Sequence, residues 1–312
     1  KYKGYKVKHV MNITDVDDKT IKGANKEGIS LKEYTRRYEK AFFEDIETLN
    51  IDKADVYPRA TEHVKEMIDI IKKLLKNRIA YKSEDGSIYY DISKFRDYGK
   101  LSHTKIMELK EGARVKHDSY EKEEAKDFAL WKAYDKKDGN VVWKTEIGNG
   151  RPGWHIEDTA ITEKHFGVQY DIHGGARDLI FPHHEAEIAQ MEGISGKKPL
   201  VRYWMHTGFL TIHGEKMSKS LDNYITIQDF LSSHSPRLLR YFVLKTHYRS
   251  PIDYSEELLS QAEQELDRID EFVEKLKTLK SAPATSKNTK LIQEARKAFF
   301  KALEDDINTP KA

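Results

Sequence analysis

Cysteine is missing altogether from the 312 residues, which excludes a disulfide framework and any thiolate nucleophile or thiolate metal ligand within them. Long apolar runs are missing too: no stretch approaches about eighteen consecutive apolar residues, the length a membrane helix needs. The opening KYKGYKVKHV lacks the apolar centre of a signal peptide, so the chain reads as cytoplasmic and without a membrane segment. Net charge is nearly absent, because 54 basic side chains stand against 52 acidic ones. Global charge therefore neither favours nor disfavours a polyanionic partner, and local patches must decide. What is present is a 38% hydrophobic, 34% charged chain with 17 tyrosines. That composition describes a globular protein with a heavily charged surface, long enough for one large domain and an appendage. The first residue is a lysine and the closing INTPKA follows a helical pattern, so both ends read as cut.

Residues 4–13 alternate toward a β-branched run ending at Asn12, Ile13, Thr14 and Asp15, as a strand does on entering a polar loop at its C-terminal end. Ser30 and Glu33 form a capping-box pattern ahead of Leu31, Tyr34, Tyr38, Phe42, Ile46 and Leu49, which recur at helical spacing. A second amphipathic helix is predicted from Thr61 to Lys76 through Val64, Ile68, Ile71 and Leu75, and Asp85-Gly86 reads as a hairpin turn. From Asp91 to Asn149 the sequence becomes irregular and charged, with a turn at Asp138-Gly139, and reads as an insertion. After Pro182 a helix is expected to carry His183 to Gln190. From Ser255 a long amphipathic helix carries Leu258, Leu259, Ala262, Leu266, Ile269, Val273 and Leu276. A linker, SAPATSKNT, then precedes a last helix with Ile292, Ala295, Phe299 and Leu303.

The residues able to do chemistry concentrate in two places. Lys216-Met217-Ser218-Lys219-Ser220 follows an apolar run and a His-Gly-Glu turn. Two lysines flanking small hydroxyl residues on a loop can reach the oxygens of a triphosphate and stabilise charge that grows as pyrophosphate leaves. An ordinary basic surface loop has the same composition. The other place is a 38-residue window containing GRPGWHIE (150–157), DIHGGARD (171–178) and FPHHEAE (181–187). Adjacent glycines let backbone approach a ribose or base, and Asp178 can accept from sugar hydroxyls. His183 and Glu187 stand four residues apart, which puts both on one helix face, as ligands of a shared ion must be. Taken alone, a glycine pair is also a turn signal and an i,i+4 His–Glu pair is also a solvated helix face.

The pentapeptide at 216–220 resembles the KMSKS signature of class I aminoacyl-tRNA synthetases. The three segments of the 150–187 window resemble the GRPGWHIEC, DIHGGGxDL and FPHHENE stretches of cysteinyl-tRNA synthetases. The likeness extends to Asn12–Asp18, Pro58–Thr61, Asp127–Lys132, Tyr203–His206, His247–Ser250 and Asp306–Pro310. It implies an α/β, Rossmann-like class I synthetase catalytic domain over residues 1–253. A connective insertion would lie at about 60–149, and a stem-contact region with the KMSKS loop at about 188–253. An α-helical bundle, or DALR-type tRNA-binding region, would begin over 254–312. The family's HIGH motif and its first zinc-binding cysteine would lie upstream of residue 1.

The same resemblance implies ATP-dependent activation of L-cysteine and its transfer to tRNA(Cys), with ATP and Mg2+ as substrate and Zn2+ as cofactor. It implies that Lys216 and Lys219 are catalytic, that Lys219 also binds ATP, and that His173, Gly174, Gly175 and Asp178 bind adenosine. Trp154, Thr14 and His155 would frame the cysteine pocket. His183 and Glu187 match two of four zinc ligands, and Asp158 stands where the family has its second ligating cysteine; a carboxylate can ligate zinc at about the same distance as an imidazole. Two further departures are Ala176 for the third glycine of the adenosine stretch and Asp222 for the glycine after KMSKSL. Arg237, Arg240, Lys245 and Arg249 could follow an acceptor stem through phosphate contacts, or belong to a solvated helix face. Two other readings stay open: a paralogue joining cysteine to a small amine, as mycothiol ligases do, and a non-catalytic tRNA-binding homologue, which Asp158 would favour.

Overall fold

The computed structural model describes residues 2–104, 127–217, 223–279 and 285–312. The chain divides into two compact units. One comprises Lys1–Glu44, Asp52–His173 and Asp178–Met205, and the other Asp45–Ile51, Gly174–Arg177 and His206–Ala312.

In the first unit, helix α1 (Asp18–Glu27) begins on a reciprocal cap. The Asp17 carboxylate accepts from the Thr20 backbone N–H at 2.6 Å, and the Thr20 hydroxyl accepts from the Asp17 N–H at 2.8 Å. Helix α2 (Leu31–Thr48) follows, its first turn held by the Ser30 hydroxyl accepting from the Glu33 N–H at 3.1 Å. Helix α3 (Val64–Lys76) is preceded by a single 3-10 turn at Ala60–Glu62, so the expected helix from Thr61 starts three residues later. Its face of Met67, Ile70, Ile71 and Leu74 is fully buried, each such side chain contributing about 1.5–3 kcal/mol by leaving water.

That face packs in the core with a four-stranded antiparallel sheet of β1 (Ala80–Lys82), β2 (Ile88–Tyr90), β3 (Phe128–Ala133) and β4 (Gly150–Pro152), in that order. The Asp85-Gly86 turn joins β1 and β2 as expected, with Gly86 at φ 91°. The segment expected to be irregular from Asp91 onward contains β3, whose Leu130 and Trp131 are fully buried. A six-residue strand with four apolar residues and then a lysine, FALWKA, carries too little periodicity to announce itself. The expected strand at 4–13 reduces to two isolated parallel bridges, Val10 to Val56 and Ile13 to Arg59. Pro58, lying between those partners, has no N–H to continue a ladder, and Tyr5 and Val7 are exposed.

Helices α4 (Trp154–Phe166) and α5 (Glu185–Ser195) pack on each other and on α3. Before α5, residues Ile180–His184 form a π turn with a non-helical Phe181, so the helix proper starts two residues after His183. Strand β5 (Tyr170–Ala176) is hydrogen-bonded to β6 (Val201–Thr207).

The second unit holds a three-stranded sheet. Strand β7 (Leu210–Ile212) runs antiparallel to β8 (Glu215–Lys216) and parallel to β9 (Ile252–Tyr254). His213 and Gly214, at φ 52° and 78°, make the β7–β8 turn. Helices α6 (Ile227–Leu231), α7 (Pro236–Leu244) and α8 (Glu256–Thr278) build a small core of Phe230, Leu238, Phe242, Leu259 and Ala262. Helix α9 (Ser286–Glu304) is capped by Thr285, so it begins inside the expected linker. No helix among the described residues is long and apolar enough to cross a membrane.

Gly153 joins β4 to α4 and places the residues of the next section. Its N–H donates to the Leu130 carbonyl at 2.9 Å, and a Cβ there would sit 2.0 Å from the Ala129 carbonyl oxygen. Because the obstacle is backbone, Gly153→Ala is expected to destabilise by about 1–3 kcal/mol, the usual range for overpacking, read as a lower urea midpoint with unchanged slope.

Candidate active site and metal centre

Helices α4 and α5 are unusual in what they bury. On α4, His155, Glu157, Asp158 and Thr159 are within the interior, and Glu185, Glu187, Gln190 and Glu192 on α5 are essentially inaccessible. Burying such groups is costly unless they find partners. Two of the acids are saturated. Glu185 accepts from the backbone N–H groups of Gly99 (3.0 Å), Leu101 and Ser102 (2.7 Å). Glu192 pairs with Lys100 at 2.6 Å and accepts from the Leu200 N–H at 2.9 Å. Glu187 differs: neither of its oxygens accepts a hydrogen bond.

Around Glu187 lie the groups that could hold a cation. His183 Nε2 is 2.7 Å from Asp158 Oδ2 and 3.4 Å from Glu187 Oε1. The ligand atoms of Asp158, His183 and Glu187 all fall within 4.8 Å of one another, and all three side chains are buried. This carboxylate–imidazole–carboxylate set, with an orphaned carboxylate at its centre, fits a divalent ion such as zinc, which takes both N and O ligands. His155 supports it from behind, its Nδ1 lying 2.9 Å from His183 Nδ1. Burial, reinforced by His183, holds the His155 imidazole well below its ordinary range, so it stays neutral. A neutral ring can accept the Nδ1 proton of His183 and so free Nε2 for a metal. Trp154 covers the cluster, stacked on His183 with centroids 4.4 Å apart.

The electrostatics agree with a missing positive charge. Burial, reinforced by Asp158, pushes both the Glu157 and Glu187 carboxyls well above the ordinary carboxylate range. For His155 the sign is opposite. Its folded pKa is depressed, so its contribution to stability is complete above the ordinary imidazole range and lost as pH falls through it. Chelator-treated protein is expected to lose stability below about pH 6.5, at up to about 1.4 kcal/mol per pH unit. His155→Asn should flatten that limb of the melting-temperature profile.

Of the residues singled out by sequence, the first unit brings Trp154, His155, Asp158, His173, His183 and Glu187 together, with Thr14 joined through Glu157. Thr14 donates its hydroxyl proton to Glu157 Oε1 at 2.7 Å, linking the loop after Ile13 to α4. His173 Nδ1 lies 2.6 Å from the Tyr170 hydroxyl, and its ring is 4.9 Å from Trp204. Asp178 sits in a 3-10 turn of the same unit, whereas Gly174 and Gly175 fall in the second unit. Lys216 is on β8 in the second unit, its Nζ 4.6 Å over the Phe209 ring; Lys219 and Asp222 lie outside the described residues. The four basic residues considered for tRNA are engaged within the second unit. Arg237 pairs with Asp270, Lys245 with Glu265 and Arg249 with Asp306, while Arg240 donates to the Leu49 and Asn50 carbonyls. Three of the four, Arg237, Lys245 and Arg249, are thus each paired with a carboxylate. Residues that spacing did not reveal are Glu157, Tyr170, His184 and Trp204; the doubled histidine beside His183 was the available signal for one of them.

Residues 1–264 match the family described as tRNA synthetases class I (C) catalytic domain. The chain is 46% identical to a cysteine–tRNA ligase of Thermococcus gammatolerans, over 100% of this chain and 66% of that protein. It is also 46% identical to one of Bacillus licheniformis, over 100% of this chain and 67% of the other. The chain thus spans about two thirds of the length of the curated relatives it matches. Among solved structures, a methionyl-tRNA synthetase of Mycobacterium tuberculosis in complex with methionyl-adenylate superposes with a TM-score of 0.60 at 16% identity, over 83% of this chain and 60% of that one. That likeness bears on the fold, which is the expected α/β, Rossmann-like class I architecture. With most of its length matched to the family and a relative nearly half identical throughout, this chain belongs to the cysteinyl branch of the class I aminoacyl-tRNA synthetases.

Proposed function

We propose that this chain is the part of a cysteine–tRNA ligase in which L-cysteine is activated by ATP and passed to tRNA(Cys) in the cytoplasm. The observation that carries this reading is the buried Asp158–His183–Glu187 cluster, with its unsatisfied carboxylate, in a chain 46% identical to cysteine–tRNA ligases. A cysteine carboxylate oxygen attacks the α-phosphorus of ATP, forming one O–P bond and breaking the bond to pyrophosphate. A terminal ribose hydroxyl of the tRNA then takes the acyl group and AMP leaves. No side-chain nucleophile is needed, so the protein contributes positioning and charge stabilisation.

Lys216 and Lys219 are assigned to the developing pyrophosphate charge, and His173, Gly174, Gly175 and Asp178 to adenosine. Trp154, Thr14 and His155 frame the amino acid. Asp158, His183 and Glu187 would hold zinc, which when bound supplies affinity for a thiolate that size alone cannot give against serine or alanine. The proposed domain plan is a catalytic region over 1–253, with a connective insertion at about 60–149 and a stem-contact region at about 188–253, and a helical region from 254. The test is ATP–pyrophosphate exchange by the full-length protein with cysteine, serine and alanine, alongside its zinc content. Exchange supported by cysteine alone is expected; equal exchange with serine removes thiol selectivity, and none with any amino acid removes the activity.

A further inference from the structure

Two short stretches that the proposed function leaves unused, 247–250 and 306–310, meet in the second unit. The Asp306 carboxylate, just past the end of α9, accepts from the Tyr248 hydroxyl at 2.7 Å and from both Nε and Nη2 of Arg249, the latter at 3.0 Å. Beside it the Thr309 hydroxyl donates to the Leu244 carbonyl, at the end of α7, at 2.6 Å. The backbone of this turn is unusual. Asp306 and Ile307 both lie in the left-handed region, at φ 53° and 54°, which a β-branched residue such as Ile307 adopts only where its surroundings hold it there. We propose that Asp306 is a positioning residue: it clasps the end of α9 to the 247–250 loop and thereby fixes the β7–β8 hairpin that carries Lys216.

The route from the clasp to the lysine is short and mostly backbone. The Tyr248 carbonyl accepts from the Gly208 N–H at 2.7 Å, and a Cβ on Gly208 would stand 2.2 Å from the Ser250 carbonyl oxygen, so the loop is pressed against the start of the hairpin. Two residues beyond Ser250, the Ile252 N–H donates to the Phe209 carbonyl at 2.8 Å. Phe209 is the ring over which the Lys216 ammonium rests at 4.6 Å. Asp253, next in β9, holds the turn of the hairpin: its Oδ1 accepts from the Thr211 hydroxyl at 2.7 Å and from the Gly214 N–H at 2.8 Å. The Met217 N–H then closes the hairpin on the Leu210 carbonyl at 3.1 Å. Contiguous hydrogen bonds between short rigid elements are the means by which position at one end constrains the other. Hydrogen bonding from Arg249, and then from Tyr248, pulls the Asp306 carboxyl down to about 2, so the clasp stays charged at neutral pH. Both partners are exposed, and an exposed pair adds little to global stability, so its loss is expected to show locally.

The role given to Lys216 rests on the proposed function, whereas the fixing of the hairpin does not, so two readouts on the full-length protein separate them. Asp306→Asn removes the charge while keeping a residue that tolerates the left-handed region, and Arg249→Gln removes the other partner. In each variant, amide hydrogen exchange followed by mass spectrometry is expected to quicken about 2–5-fold over residues 208–217, the range an exposed charge pair supports. Peptides covering Leu238, Phe242 and Leu259 in the helical core should be unchanged. The kcat of ATP–pyrophosphate exchange, a reaction that needs no tRNA, should fall by a similar factor with the KM for cysteine unchanged. Asp306→Asn added to Lys216→Ala should lower kcat no further, as for two residues acting through one group. Hairpin exchange unchanged in both variants overturns the clasp. Exchange quickened equally in the core peptides also overturns it, since Asp306 would then be an ordinary stabilising residue. A further fall in kcat on the Lys216→Ala background overturns the route through Lys216. Quickened hairpin exchange in a protein whose unaltered form gives no ATP–pyrophosphate exchange removes the proposed function and leaves the clasp standing.

Discussion

Replacing Lys216 by alanine is expected to slow ATP–pyrophosphate exchange by about 10²–10³-fold, the usual loss when one preorganised donor to developing charge is removed. The expectation follows from where the lysine stands. β8 is two residues long and is fixed to β7 by a tight turn, whose Gly214 N–H donates to Asp253 Oδ1 at 2.8 Å. The Lys216 carbonyl accepts from the Asn223 side-chain amide at 3.3 Å, across the segment that carries the rest of the signature. The backbone beneath the lysine is therefore anchored on both sides, while its ammonium rests over Phe209. In the proposed role the ammonium meets charge that develops only in the transition state, so kcat should fall with little change in the KM for cysteine. Lys216→Arg should recover part of the rate, since charge is kept and geometry altered. Unchanged exchange in the alanine variant would remove Lys216 from the chemistry.

Glu187→Gln should act in opposite directions on metal and on fold. Loss of an outer partner of a metal ligand typically costs 10–100-fold in affinity, so loss of the central ligand itself should exceed about 100-fold. The metal-free fold should instead gain. In the folded chain Glu187 binds its proton more tightly than when unfolded, so its contribution to stability is complete below the ordinary carboxylate range and lost as pH rises through its raised pKa. Glutamine is neutral throughout. Chelator-treated Glu187→Gln is therefore expected to melt above chelator-treated unaltered protein, by a margin that grows with pH, as expected where a destabilised group is kept for function. A variant that melts lower at every pH would make Glu187 an ordinary structural residue.

The regular elements with strong local periodicity were legible in the sequence. α3 and α8 declare themselves through apolar residues at helical spacing, and Asp85-Gly86 through turn chemistry. Weaker elements were not. α1 buries only Ile21 and Ala24, so its signal was the Asp17–Thr20 cap rather than a stripe. The start of α9 lies within a polar stretch that composition alone assigns to a linker, although Thr285 caps it. For the site, the His183–Glu187 pair follows from spacing on one element. The approach of Asp158 to His183, 25 residues away, and of Thr14 to Glu157, 143 residues away, depends on how separate elements pack. Periodicity along one element holds no record of that packing; the motifs named the residues, and the helix pair α4–α5 brings them within reach of each other.

The central claim is that the buried cluster on α4 and α5 holds a metal that recognises a thiol. The most direct measurement is the near-ultraviolet spectrum of cobalt-loaded protein before and after adding amino acid. Since the 312 residues contain no cysteine, any thiolate absorption comes from elsewhere in the full-length protein and is present before the addition, so the difference spectrum reports the added amino acid. Cysteine should raise a sulfur-to-cobalt charge-transfer band that serine does not, and that Asp158→Asn with Glu187→Gln abolishes. A spectrum equally silent to cysteine and serine, in protein shown to contain cobalt at these residues, would contradict the account.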